Sequence, residues 1–375
     1  NAGDVQTITY TLDTTKPAQP TYTLAADTAG ASATDGITTN PRINIAGLEA
    51  GASWRISTNG GTSWSTYRGA STTFFDLDAN ATYAAGAIRI EQTDKAGNTS
   101  VFATNGIAIT TDATAPTLTI SDDKSGTTTG NVTYTFQFSE DVTGFDASDI
   151  TLTNGSKGTF TPVSGSKYTL VVTPPSGTEG ADLGLSVGTG LTDVAGNAIA
   201  STTTAGAQAW DTKPPVISSF SSSTATGSFK KDGVINITAN ASENLQPGAQ
   251  ITVTLDSGAT VVLTSTSVAG ALTNVLSGSY TVGAGENSAD LKISSYTLGT
   301  SAAAPKDAVG NAMTSTTVPT GSNLSDSKDI VVDTTAPTLT ITDDKTDKTN
   351  GDVTYTFQFS ENVTGFDASD ITLTN

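Results

Sequence analysis

The sequence predicts an all-β chain of tandem antiparallel sandwich domains, and three observations carry that reading. A linker with Asp and Pro four positions apart recurs as Asp13 to Pro17, Asp112 to Pro116, Asp211 to Pro215 and Asp333 to Pro337. Successive copies lie 99, 99 and 122 residues apart (112 − 13, 211 − 112 and 333 − 211), one sandwich-sized domain per interval. Between linkers, short runs alternate apolar and polar residues, and no helical period of adequate length occurs.

Residues 1–12 contain the alternating run Val5 to Leu12, expected to be the last strand of a preceding domain. Domain one, residues 13–111, offers strands at Thr21 to Ala25, Arg42 to Leu48, Ser53 to Ser57, Thr72 to Leu77, Tyr83 to Gln92 and Val101 to Thr110. Gly, Asn and Asp punctuate them. The stretch from Ser57 to Trp64 resembles the Asp-box hairpin of sialidases, a structural turn in which Gly60 and Gly61 supply positive φ. Trp54, Trp64 and Tyr67 suit either a sugar-stacking surface or core and hairpin packing.

Domain two, residues 112–210, has the cleanest period: Val132, Tyr134, Phe136 and Phe138 alternate with Thr133, Thr135 and Gln137, a strand buried on one face. Tyr168, Leu170 and Val172, then Leu183, Leu185 and Val187, repeat the pattern. Domain three, residues 211–332, is longer by 23 residues (122 − 99), and the excess falls between recurring motifs, where surface loops take insertions. Residues 333–375 match 112–154 at 35 of 43 positions, and read as the first part of a truncated fourth domain. With about three strands, that part is expected to leave an apolar face and an open edge for a partner to cover.

At 375 residues the chain can bury a core in each of three domains. Zero Cys removes disulfides and catalytic thiols, and zero His removes the usual general base and transition-metal ligand, so most enzyme classes are disfavoured. A net charge of −19 argues against nucleic acid or anionic membrane as a partner through a basic face. No apolar run approaches a membrane span, and the start lacks the regions of a signal peptide, as expected of an internal segment of a longer chain.

Two further acidic motifs keep station with the linker: Asp-x-(Ala/Val)-Gly-Asn beginning at Asp94, Asp193 and Asp307, and Ser-Glu-(Asp/Asn) around Glu140, Glu243 and Glu361. In an immunoglobulin-like sandwich, the reversals after the second and sixth strands lie at the end where the first strand begins. Asp112, Glu140 and Asp193 should therefore converge at the joint with the previous domain. Like charges held together call for a cation, and oxygen ligands without His or Cys select a hard one, which points to Ca²⁺. Equivalent sets are Asp13, Glu49 and Asp94; Asp211, Glu243 and Asp307; and Asp333 with Glu361, Glu49 standing outside the Ser-Glu signature. The other reading is that these motifs are turns, with Gly at positive φ and the linker Asp capping local amides.

The linkers, the run Phe138 to Phe145 and Asp193-Val194-Ala195-Gly196-Asn197 resemble the bacterial Ig-like repeats of large calcium-dependent RTX and biofilm-associated surface adhesins. The resemblance implies immunoglobulin-like sandwiches in an end-to-end rod on the bacterial cell surface. It further implies Ca²⁺ near the joints, neighbouring domains as partners, and an adhesive region elsewhere in the protein. The expected function is a non-enzymatic structural extender for attachment or biofilm formation. A carbohydrate-binding module, a surface-layer or filament subunit, and a two-carboxylate glycosidase are the alternatives.

Overall fold

A computed structural model of the chain describes residues 3, 6–27, 34–265 and 270–374. They form tandem immunoglobulin-like β-sandwiches, and the only helical elements among the described residues are 3₁₀ turns at Ala147–Asp149, Ser301–Ala303 and Ala368–Asp370. The chain divides into two compact units, Asn1–Thr212 and Lys213–Asn375. No described helix is long and apolar enough to cross a membrane.

In the first unit, domain one packs one sheet of Thr21–Leu24, Arg42–Ala46 and Phe74–Asp76 against another of Arg68–Gly69, Ser53–Ser57, Arg89–Thr93 and Ala103–Thr104. Ile43, Ile45, Trp54, Ile56, Ile88 and Ile90 fill the space between them. Two runs expected as single strands are each broken in two. Tyr83 to Gln92 splits into Ala81–Tyr83 and Arg89–Thr93, and Val101 to Thr110 into Ala103–Thr104 and Ile109–Thr111. The buried Asn105 carboxamide explains both breaks. Its Nδ2 donates to the carbonyls of Ala84 and Ile107, each at 2.8 Å, and its Oδ1 accepts from Ile88 N–H at 2.9 Å, so one side chain replaces the ladder bonds where both strands change sheet. At the start of the chain, Gln6 to Leu12 pairs with no strand among the described residues and leaves Ile8, Tyr10 and Leu12 exposed; Val5 lies outside the described residues.

Domain two sets the four-stranded sheet Leu118–Asp122, Val132–Phe138, Lys167–Thr173, Ser156–Pro162 against Ile150–Leu152, Leu185–Val187, Thr203–Thr204. Val132, Tyr134, Phe136 and Phe138 all point inward, as the alternation requires. Phe145 meets Phe136, Phe138, Phe160 and Tyr168 edge-on, with centroids 4.9 to 5.5 Å away.

In the second unit, domain three is built on a six-stranded sheet ordered Ile217–Ser221, Val234–Leu245, Thr273–Thr281, Thr260–Ser265, Gln250–Leu255, Ile293–Leu298. Its extra length is not held by loops alone. The interval from Glu243 to Asp307 contains strands of 6, 6, 9 and 6 residues, whereas the main strands between Glu140 and Asp193 have 3, 7, 7 and 3. Beyond it, Leu339–Asp343 and Tyr355–Phe359 pair in the register of their domain-two counterparts, with Leu339 opposite Phe359 as Leu118 is opposite Phe138. Tyr355 is 49% exposed where Tyr134 is fully buried, because no second described sheet covers this two-stranded pair.

One feature recurs in all three domains. The chain leaves its first strand, crosses over, and runs parallel to the last strand: Ile37–Thr38 beside Ile109–Thr111, Thr128 beside Trp210, and Gly227–Phe229 beside Ile330–Val332. That last strand ends at the next linker Asp.

Candidate metal centre

Three of the four linker aspartates are held by the domain they leave. The N–H of Asp112, Asp211 and Asp333 extends the parallel pairing and donates to the carbonyl of Thr38, Thr128 and Phe229 at 2.9, 2.9 and 3.0 Å. Its side chain then folds back: Oδ1 of Asp13, Asp112 and Asp333 accepts the N–H two residues on, each at 2.9 Å. This is the Asx turn expected of Asp before a Pro.

The Asp-x-(Ala/Val)-Gly-Asn segment is a tight loop closed on its own carboxylate. Asp193 is 1% exposed; its Oδ1 accepts from Gly196 and Asn197 N–H at 2.7 and 2.9 Å, and its Oδ2 from Asn197 Nδ2 at 2.8 Å. Asp307, equally buried, takes Val309, Gly310 and Asn311 N–H and the Asn311 Nδ2. Gly196 and Gly310 need φ of 98° and 105°, which explains glycine there. In Asp94 the same bonds, led by the Asn98 side chain, hold the carboxyl below its ordinary range.

In domain two the Ser-Glu segment follows the second strand, whereas in domain three Ser242 and Glu243 lie within Val234–Leu245. Its serine pins the linker: Thr117 N–H donates to Ser139 Oγ at 3.0 Å while Ser139 N–H returns to Thr117 O at 2.9 Å. Ser242 with Val216 and Ser360 with Thr338 make the same reciprocal pair. In domain two the following glutamate, Glu140, is thereby brought to the linker Asp112. Asp112, Glu140 and Asp193 each offer an oxygen within 4.8 Å of the others. Burial first, then the charges of Asp112 and Asp193, push the Glu140 carboxyl above its ordinary value.

That shift has a signed consequence. An acid whose folded value is raised weakens the fold when ionised, so in chelator domain two should gain stability as pH falls from neutral through the raised Glu140 value. The gain is complete below the ordinary glutamate value. Denaturation midpoints against pH should show this gain in the parent chain and lack it in Glu140→Gln; identical profiles would show that Glu140 is not strained.

The remaining candidates differ. In domain one no group of three containing Asp13, Glu49 or Asp94 comes within that distance among the described residues. Glu49 is exposed. The fully buried Gln92 ties the region instead, its Nε2 donating to Ala18 and Gly47 carbonyls at 2.8 and 2.9 Å and its Oε1 accepting Glu49 N–H at 2.8 Å. In the second unit Glu243 lies on Val234–Leu245, whose last residue bridges Asp307. Asp211 ends the last strand of domain two. Asp333 and Glu361 line one open recess with Asn287, and Glu361 Oε1 is buried with no hydrogen-bond partner.

The aromatic trio is divided. Trp54 is fully buried with Nε1 bonded to Thr72 O, whereas Trp64 and Tyr67 flank the Arg55 guanidinium at 4.8 and 5.0 Å, which pairs with Glu91 at 2.6 Å. One face of each of these two rings, half-buried Trp64 and exposed Tyr67, is thus taken by arginine.

The acids were legible in the sequence as motif members. The roles of Ser139 and Asn197 were not, although both sit in those motifs. A hydroxyl or carboxamide beside Gly looks like turn chemistry, and only the structure shows its second partner across the linker.

The bacterial Ig-like domain family matches residues 112–209 and 333–375, so these segments are similar to bacterial Ig-like domains. Among solved structures, the chain is similar to FdeC, an Escherichia coli adhesin, at 11% identity with a TM-score of 0.29, over 82% of this chain and 98% of that one. No curated protein is significantly similar in sequence.

Proposed function

We propose that the chain is a non-catalytic spacer segment of a bacterial surface adhesin, stiffened by Ca²⁺ held between Asp112, Glu140 and Asp193 at the joint of domains one and two. The observation that carries it is the meeting of three carboxylates from three distant segments, one of them the linker itself. The donor set fits: carboxylates, neighbouring carbonyls and water supply the six to eight hard oxygens Ca²⁺ takes. A cation there also relieves the strain on Glu140. In domain three the corresponding positions are Glu243 and Asp307, and in the last segment Asp333 and Glu361. Among the described residues domain one gathers no such set, and Gln92 ties its joint instead.

Extracellular modules of this kind bind at about 10⁻⁴ to 10⁻³ M, so such a joint would be loaded outside the cell and empty in calcium-poor cytoplasm. On this reading the chain works at the cell surface, extending an adhesive region for attachment or biofilm formation. Calorimetric titration of Ca²⁺ into the chelator-treated full chain tests the reading. Saturable binding that Glu140→Gln weakens is expected; no binding up to about 10⁻² M, tenfold beyond the weakest such modules, would remove the cation from the account.

A further inference from the structure

One peptide group at the joint is held from both sides. The carbonyl of Asp112 accepts from Asn197 Nδ2 at 3.0 Å, and Asn197 belongs to domain two. The N–H of the same peptide, on Ala113, donates to Asn80 Oδ1 at 2.7 Å, and Asn80 belongs to domain one. We propose that the Asp112–Ala113 peptide is a cation-independent clamp between the two domains, with Asn80 and Asn197 as its positioning residues.

The halves of this arrangement recur, the N–H side without shared sequence and the carbonyl side through the shared Asp-x-Ala-Gly-Asn motif. On the N–H side, Thr212 N–H donates to Thr178 O at 2.8 Å and Thr334 N–H to Asn287 Oδ1 at 2.8 Å. A backbone carbonyl in one case and a carboxamide in the other thus hold the residue after the linker Asp to the preceding domain. On the carbonyl side, Asn98 Nδ2 donates to Asp13 O at 3.1 Å. The loop carrying Asn80 is itself fixed to the last strand, because Thr111 Oγ1 donates to Asp78 O at 2.6 Å and accepts Ala81 N–H at 3.0 Å.

A peptide gripped at both its polar atoms cannot rotate without breaking a bond, so the linker keeps its direction before any ion arrives. The Asp112 carboxylate is then already turned toward Glu140 and Asp193. This holds whether or not Ca²⁺ is the ligand, and the two claims fail separately.

The chain has no cysteine, so Thr73→Cys and Thr159→Cys, at exposed positions of domains one and two, give two spin-label sites on the full chain. Distances between them are measured by pulsed electron resonance. In excess chelator the parent should give a narrow distribution. Asn80→Gly deletes the acceptor yet accommodates the φ of 57° at that position without strain. It should raise the displaced population about fivefold, the factor one neutral hydrogen bond supplies, while both domain melting temperatures stay unchanged. Asn80→Asp keeps the acceptor and should restore the narrow distribution. A chelated parent as broad as Asn80→Gly, or an Asn80→Gly chain as narrow as the parent, overturns the clamp. Adding Ca²⁺ should narrow the Asn80→Gly distribution again; failure of that step counts against calcium stiffening and leaves the clamp standing.

Discussion

Alanine at Asp193 should lower the stability of domain two by about 3–5 kcal/mol, the range for removing a buried charged acceptor from several donors, with or without divalent cation present. The carboxylate is 1% exposed and receives two N–H groups and the Asn197 carboxamide. Without it the Gly196 and Asn197 N–H groups lose their shared acceptor, and Asn197 loses the partner that orients it toward the Asp112 carbonyl. Hydrogen exchange in full-length protein, read on Val132–Phe138 and Lys167–Thr173, isolates domain two from its neighbours. A loss below about 1 kcal/mol, the worth of one ordinary hydrogen bond, would mean the loop closes without its carboxylate.

Chelation should cost domain two about 2.7 kcal/mol per site when free Ca²⁺ had stood a hundredfold above its dissociation constant. Glu140→Gln separates the two parts of that effect. In chelator the substitution should raise the melting temperature, since it removes a carboxylate whose ionisation is resisted by burial, Asp112 and Asp193. In excess Ca²⁺ it should lower the melting temperature by removing a ligand. A variant whose sign does not invert between the two conditions would show that the three acids do not share an ion. The inversion also separates this acid from Asp193, whose loss is harmful in both buffers.

How far the sequence led depended on what each residue had to satisfy. Val132 to Phe138 was readable because a strand with one buried face must alternate, and nothing else in the domain alters that period. Tyr83 to Gln92 was not, because its break is set by Asn105, whose carboxamide reaches loops on either side of it in the chain. Long-range satisfaction by one polar side chain leaves no local period. Asp112, Glu140 and Asp193 were found by co-recurrence, and the structure gathers them. Glu49 was placed by position alone. Domain one uses the neutral, buried Gln92 at its joint, and nothing in the spacing of acids could announce an amide in their place.

The parallel pairing of the last strand with the segment that follows the first strand determines how a domain meets a pull. Traction applied through the linkers draws Ile37–Thr38 and Ile109–Thr111 in opposite directions along their common axis, and likewise Gly227–Phe229 and Ile330–Val332. Bonds loaded that way share the force and must yield together, whereas a hairpin pulled from its open end gives way one rung at a time. Tension along the chain would therefore meet these pairings in their most resistant direction.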